Sequence, residues 1–352
     1  MRQNALVLLL SILFSGGLGS ARADSYTERP EVQQFIETMI ARHGFDAEAL
    51  NQLFSQAQAS PVVTQTMTDQ VTQPLTWTRY RSNFVNPWNI RQGVLFWQQN
   101  ATALKHARQA YGVPEEVIVS IIGVESRYGK IQPHFLEFNT LITLAFDYPR
   151  RAEFFRGELE QFLLLTREEH LDPRLVKGSF AGAMGIPQFM PGSYRSYAVD
   201  FNRDGHRDLR GSTTDAIGSV ANYLKTFGWK DGQPVALRAY LPAGSEQDLG
   251  NHVSTTLKPE WSVDELQSLG LTTADRLSPA DWVALLALEG ENGREYWFGF
   301  DNFYTITRYN RSLHYAMAVY QLSQEIRSAK ESGKEVSRRK PRRNPGHRVP
   351  RR

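Results

Sequence analysis

Apolar positions along most of the chain keep a helical period, and one segment breaks it. Val32, Phe35, Ile36, Met39 and Ile40, then Phe45, Leu50 and Leu53, predict amphipathic helix over residues 28–60. Further helices are predicted at 98–111, at 150–170 after the Tyr148-Pro149 break, at 215–227 and at 311–329. Asn139 and Thr140 suit the cap of a short helix. Between 231 and 305 the pattern shortens. Turn clusters DGQP, PAGS and EGENG separate strand-type runs at Val235–Tyr240, Trp282–Leu288, Arg294–Phe298 and Asn302–Thr307. That segment reads as a small β-rich insertion in a helical protein.

One predicted helix is apolar nearly all round. In residues 114–129, PEEVIVSIIGVESRYG, Pro114 suits a first position and Glu115 and Glu116 suit the positive helix end. Val117, Val119, Ile121, Ile122 and Val124 follow, and Gly129 is the expected stop. Glu125 sits among them, at the negative end of the helix. Burial and the helix dipole both favour its neutral form, so its pKa should rise. A carboxylic acid still protonated near neutral pH is what glycosidic cleavage requires. The plainer alternative has Glu125 paired with Arg127 or Arg91 as a structural ion pair.

Composition and charge add compartment and surface chemistry. The 352 residues are 41% hydrophobic, enough for a sizeable core in two or three units. Net charge is +3, yet residues 334–352 alone carry nine Lys or Arg against one Glu, so the rest of the chain is acidic. This tail, read from 331, is expected to be disordered and to meet anionic wall or membrane surface, with no specific nucleic acid. Arg2, the apolar run Ala5–Phe14 and Ala21-Arg22-Ala23 read as a signal peptide over 1–23. No later segment is long and apolar enough to cross a bilayer. With no cysteine there is neither a disulfide nor a cysteine to carry lipid. A free periplasmic protein is expected; an uncleaved signal anchor is the alternative.

Three further stretches carry candidate chemistry. Residues 75–100 interleave Trp77, Tyr80, Phe84, Trp88, Phe96 and Trp97 with Arg79, Arg81 and Arg91. Aromatic faces suit sugar rings, although core packing explains most of these; Tyr80, flanked by arginines, is the exception. Arg150 and Arg151 open a helix against its dipole, which suits either an acidic substrate group or a solvated pair. In KGSFAGAMGIPQFMPG, small residues allow close backbone approach, and Ser179 and Gln188 are the polar members. Then Asp200, Asn202, Asp204, Gly205 and Asp208 fit positions 1, 3, 5, 6 and 9 of a calcium loop, with the His206 carbonyl at 7. Position 12 is Gly211, so the loop would be lengthened and closed by Asp215; a metal-free polar turn is the alternative.

VESRYG, GSFAGAMGIPQFMP and RYN before a closing helix, in that order, resemble the lytic murein transglycosylases, specifically the membrane-bound lytic transglycosylase B group. The resemblance spans about 28–329. It implies a mainly α fold: a lysozyme-like α core with an added helical domain and a small β-rich insertion. The corresponding segments are 24–230, with the EF-hand-like loop at 200–215; 231–305; and 306–330, completing the core. It further implies that Glu125 is a lone catalytic acid/base and that Tyr80, Ser179, Gln188, Tyr223, Tyr309, Asn310 and Tyr315 line the sugar cleft. Arg150 and Arg151 would meet the stem peptide. Asp200, Asn202, Asp204, the His206 carbonyl and Asp215 would hold a structural Ca2+, with no organic cofactor. Partners would be peptidoglycan strands, stem peptides and wall-synthesis enzymes.

One carboxylate, where ordinary glycosidases use two, calls for an internal nucleophile. The expected reaction cleaves the MurNAc–GlcNAc bond without water and closes a 1,6-anhydro ring. The rivals are a lysozyme-type hydrolase with Asp147 as second acid, and a noncatalytic wall-binding scaffold.

Overall fold

The structure is a computed structural model, and it describes residues 25–333 apart from 73, 74, 132, 243, 245–248, 250 and 292. The signal sequence read at 1–23 and the basic tail from 334 lie outside the described residues. Residues through Ala57 cluster as one unit and those from Gln58 as another. In the first, a 3-10 turn at Tyr26–Glu28 precedes α1 (Pro30–His43) and α2 (Ala47–Ser55). Val32, Phe35, Ile36 and Met39 form the buried stripe of α1, and Phe35 meets Phe54 of α2 at 5.9 Å between ring centroids. Gly44, at φ 63°, ends α1 in the left-handed conformation, and Asp46 caps α2 by accepting from the Ala49 amide at 2.8 Å.

The second unit is built around α7 (Glu115–Ser126). Its residues 117–122 are buried without interruption, as an all-round apolar helix must be. Packed on it are α5 (Pro87–Gln99), α6 (Ala101–Tyr111), α11 (Thr213–Thr226) and α14 (Leu313–Glu331). The polar exception in that stretch, Ser120, is fully buried and donates its hydroxyl to the Val319 carbonyl of α14 at 2.6 Å. Gly93 of α5 and Gly123 of α7 both lie under the Tyr128 ring, where a Cβ would approach within 3 Å. Around this core lie α3 (Pro61–Thr72), α4 (Trp77–Phe84), α8 (Glu137–Phe146), α9 (Ala152–Glu168), α10 (Pro191–Tyr197) and α13 (Asp301–Tyr309). A two-stranded ribbon, β1 (Phe135–Leu136) with β2 (Lys177–Gly178), leads into the glycine-rich segment.

The shortened pattern at 231–305 does form a sheet. Its strands β3 (Ala236–Ala239), β4 (Trp261–Ser262), β5 (Trp282–Gly290) and β6 (Gly293–Gly299) lie in the order β3-β6-β5-β4, all antiparallel. A separate apolar core including Val263, Leu266, Val283, Leu285 and Phe298 packs under it with α12 (Val263–Ser268).

Several local expectations change. Asn302–Thr307, read as a strand from its β-branched residues, lies within α13. Asn302 is fully buried, accepts from the Lys230 amide, and donates to the carbonyls of Lys230 and Gln233. Phe303 and Ile306, buried three apart, fit the helical period. Asn139 and Thr140 lie inside α8, not at its cap. Arg150 and Arg151 sit in a 3-10 turn, Pro149–Arg151, ahead of α9, so the dipole objection does not arise. Gly129 is not the first stop of α7: Arg127 and Tyr128 already take positive φ of 48° and 64°. Among the described residues no helix is long and apolar enough to cross a membrane.

Candidate active site

Glu125 is the penultimate residue of α7, just before the chain reverses through three left-handed residues, Arg127, Tyr128 and Gly129. Two of those are not glycine, which costs about 1–3 kcal/mol each and persists only where the surroundings enforce it. Here they do: the Tyr128 hydroxyl donates to the Asn89 carbonyl at 2.7 Å, and Gly129 N donates to Ser126 Oγ at 3.0 Å. The reversal fixes the end of α7, and with it Glu125.

No ion pair holds Glu125 among the described residues. Arg127 turns away, its guanidinium 5.6 Å from the Trp88 ring centroid. The partner of Glu125 is Tyr315, on the first turn of α14, which donates its hydroxyl to Oε1 at 2.5 Å. The residue keeps partial access to solvent, yet packing around the carboxyl raises its pKa from 4.5 to about 7, with Tyr315 pulling the other way. The carboxyl is therefore divided between its two protonation states near neutral pH.

Tyrosines crowd this acid. Tyr315 stacks on Tyr309 with planes 12° apart, and Tyr309 meets Tyr223 at 4.9 Å. Burial, and after it the charge on Glu125, pushes the hydroxyls of Tyr309 and Tyr315 well above their ordinary pKa. The same two causes, in that order, raise Tyr80 to about 12. All three stay neutral donors. Tyr309 donates to the Pro187 carbonyl at 2.6 Å, and Tyr223 to the Arg308 carbonyl at 2.6 Å.

The glycine-rich segment joins the cluster through that Pro187 carbonyl and through Phe189, whose ring meets Tyr223 and Tyr309 at 5.5 and 5.7 Å. Gln188, at φ 52°, donates to the Gly185 carbonyl. Ser179 Oγ accepts from the amides of Ala181 and Ala183, so it shapes the turn as well as offering a hydroxyl. A Cβ at Gly178 would lie 1.7 Å from Glu137 Oε2, so a larger residue there requires that buried acid to shift.

The remaining expected residues are more dispersed. Asn310 is exposed where α13 ends. Arg150 and Arg151 are exposed, and Arg151 lies 4.0 Å over Phe154; no measured contact joins them to Glu125. Asp147, the second acid of the hydrolase reading, is exposed at the end of α8 and is not among the groups that shift Glu125. Sequence reading missed His314, which lies between Trp77 and Tyr80 at 5.6 and 5.7 Å. It also missed Phe189 and Glu137. Glu137 is wholly buried, both its oxygens lack a hydrogen-bond partner, and burial and then Glu158 raise its pKa well above 4.5. A glutamate inside an apolar run was the available signal.

In the 200–215 loop the oxygens turn inward. Asp200 accepts from the amides of Asp204 and Gly205, and Asn202 Oδ1 from that of Asp204. Asp215, fully buried, accepts from Phe201 and Asn202 at Oδ1 and from Asp208 at Oδ2. It braces the loop backbone, with lone pairs left at Oδ2. An all-oxygen donor set suits a hard cation. Among the described residues, however, no three His, Cys, Asp or Glu side chains are gathered to hold one.

Residues 27–324 match the family model described as "Transglycosylase SLT domain". The chain is 47% identical over 316 residues to "Membrane-bound lytic murein transglycosylase B" of Escherichia coli (strain K12), covering 87% of this chain and 85% of that protein. It is 48% identical to the solved E. coli lytic transglycosylase SLT35 in complex with calcium, with a TM-score of 0.79, covering 87% of this chain and 95% of that one. SltB3 of Pseudomonas aeruginosa, solved in complex with NAG-NAM-pentapeptide, is 32% identical with a TM-score of 0.73, covering 84% and 78%.

Proposed function

The chain belongs to the transglycosylase SLT domain family, lytic enzymes that cleave peptidoglycan glycan strands without water, and we propose that Glu125 is its single acid and base. The observation that supports this most is the Glu125 carboxyl, raised to about 7 with a tyrosine hydroxyl 2.5 Å away. In its neutral form it protonates the oxygen bridging MurNAc to GlcNAc. The 2-acetamido oxygen of MurNAc assists departure. The carboxylate left behind, stabilised by Tyr315, then takes the proton from the MurNAc C6 hydroxyl as that oxygen closes the 1,6-anhydro ring. The proton returns to Glu125 and the cycle is complete.

A single group can do both because its pKa lies near the working pH, where neither transfer is steeply uphill. Tyr80, Tyr223, Tyr309, Asn310, Ser179 and Gln188 bind and orient the sugars; Arg150 and Arg151, exposed and cationic, take acidic groups of the stem peptide. The relative solved with NAG-NAM-pentapeptide supports a substrate that carries both sugar and peptide. The enzyme acts in the periplasm; among the described residues no helix is long and apolar enough to cross a membrane.

A relative is solved in complex with calcium, and the oxygen donors of the 200–215 loop suit that ion. Asp200, Asn202, Asp204 and the His206 carbonyl would hold the ion, with Asp215 available through Oδ2. Calcium there would stabilise the loop against α11 and take no part in the chemistry.

Digestion of purified peptidoglycan, read by mass spectrometry, tests the assignment. The wild type should release anhydro-ended fragments, one water lighter than hydrolysis products. Glu125→Gln should lose at least about 100-fold in rate while keeping its melting temperature. Near-normal turnover by that variant would remove Glu125 from its role.

A further inference from the structure

A cavity of about 510 Å³ lies between α4, α14 and the β5–β6 hairpin, within the size range of small-ligand sites. It is lined by Arg81, Glu291, Trp297, Tyr320, Gln321 and Glu325 among others. None of these belongs to the machinery around Glu125. Tyr80 is on the same helix as Arg81 but turns to another face, toward Phe84 and His314.

The polar groups here define what would fit. The indole N–H of Trp297 is shielded from solvent and has no hydrogen-bond partner among the described residues, so a ligand in the cavity would meet the Trp297 ring and not its N–H. The carboxylates of Glu291 and Glu325 are exposed and accept only. Arg81 spends one N–H on Gln321 Oε1, at 2.6 Å, and has no ion pair among the described residues. A third acid, Glu295, is already held by Arg238 at 2.5 Å.

An ammonium group would satisfy the carboxylates but offer nothing to Arg81. An anion would satisfy Arg81 and be repelled by the acids. An uncharged sugar supplies both sides: hydroxyls that donate to Glu291 and Glu325, and hydroxyl or acetamide oxygens that accept from Arg81. Tyr320, its hydroxyl fixed to the Ala236 carbonyl at 2.7 Å, and Trp297, near-perpendicular to it at 85°, add apolar ring surface for a pyranose face.

We propose that this cavity is a second saccharide site, which holds an acetylated amino sugar of the glycan strand away from the bond being cut. It rests on the glycan-strand reading above. The site would keep the enzyme on an insoluble polymer between cuts, since linking two weak sites on one ligand multiplies affinity without new contacts.

The test uses the full chain carrying Glu125→Gln, with tetra-N-acetylchitotetraose as probe and the tryptophan indole N–H resonances as readout, Trp297 being identified by its loss in Trp297→Phe. The sugar should shift the Trp297 resonance, and Arg81→Ala with Glu325→Ala, both at exposed positions, should weaken that shift by about tenfold. No shift at saturation of the Glu125 cleft, or a shift given only by a lysine peptide, overturns the proposal. In the otherwise wild-type chain the same pair of substitutions should slow release from insoluble peptidoglycan by on the order of tenfold and leave cutting of short soluble strands unchanged. Equal rates on both substrates would also overturn it. Absence of anhydro products from the wild type would instead sink the reading of the reaction, and the resonance shift would still judge the site.

Discussion

Tyr315 donates its hydroxyl to Glu125 across 190 positions of sequence, joining the first turn of α14 to the last turn of α7 at 2.5 Å. The bond favours the carboxylate, so it opposes the burial that keeps the proton on. Removing it in Tyr315→Phe leaves burial unopposed and should raise the pKa of Glu125 above about 7. The falling alkaline limb of the rate profile should then move to higher pH. The maximum should drop about tenfold or more, because the carboxylate formed after proton donation loses its stabilising donor. A limb that stays in place under both enzymes would show that it reports another group.

Glu137 tests the cost of a buried acid. Its pKa in the fold lies well above 4.5, so the fold binds this proton more tightly than the unfolded chain does. The stability tied to that proton is fully present below the unfolded value and is lost as pH rises toward the folded one. Glu137→Met should therefore raise the melting temperature at pH 8 and flatten its decline between pH 5 and 8. The gain should be about 1–3 kcal/mol, since an unpartnered buried carboxyl gives way to an apolar chain of similar length. Melting curves across pH check it.

Gly178→Ala should be destabilised by several kcal/mol, because its new methyl would lie 1.7 Å from Glu137 Oε2. Shortening the acid in Glu137→Ala should restore much of the loss. A double-mutant cycle measures the coupling, expected at roughly 1–3 kcal/mol. Additive losses would mean that the two positions do not share that space.

The two ends of the 200–215 loop should behave differently. Asp215→Ala strips acceptors from three loop amides, so it should destabilise the fold by about 3 kcal/mol and lower the melting temperature with or without calcium. Asp204→Ala, at an exposed position, should leave the chelated protein almost unchanged and abolish the rise on adding calcium. Titration of each variant with calcium, read by thermal unfolding, separates bracing from binding.

The sequence disclosed elements wherever one period dominated. α7 was legible because a long, nearly unbroken apolar run opened by Pro-Glu-Glu suits a buried helix, and Glu125 stood out against it. The sheet was legible from its turn clusters. What was hidden depends on distant partners. Asn302–Thr307 has β-branched residues that suit a strand; its helix is decided by the chain at Lys230 and Gln233, which Asn302 ties down. The reversal at Arg127 and Tyr128 is enforced by Asn89, which local propensity does not contain. Tyr309 and Tyr315 have unremarkable neighbours in sequence, and only the family resemblance pointed to them. The cavity beside Trp297 could not be foreseen at all, since it arises between three elements far apart along the chain.

The α7–α14 pairing also sets a timetable. Synthesis delivers Glu125 long before Val319 and Tyr315, which are needed to seal its helix and to answer its carboxyl. Until the final helix docks, the packing that raises the pKa of Glu125 is incomplete, so on the role proposed for that acid the chain should not yet cut. A version ending before Leu313 should leave peptidoglycan uncut even at high concentration.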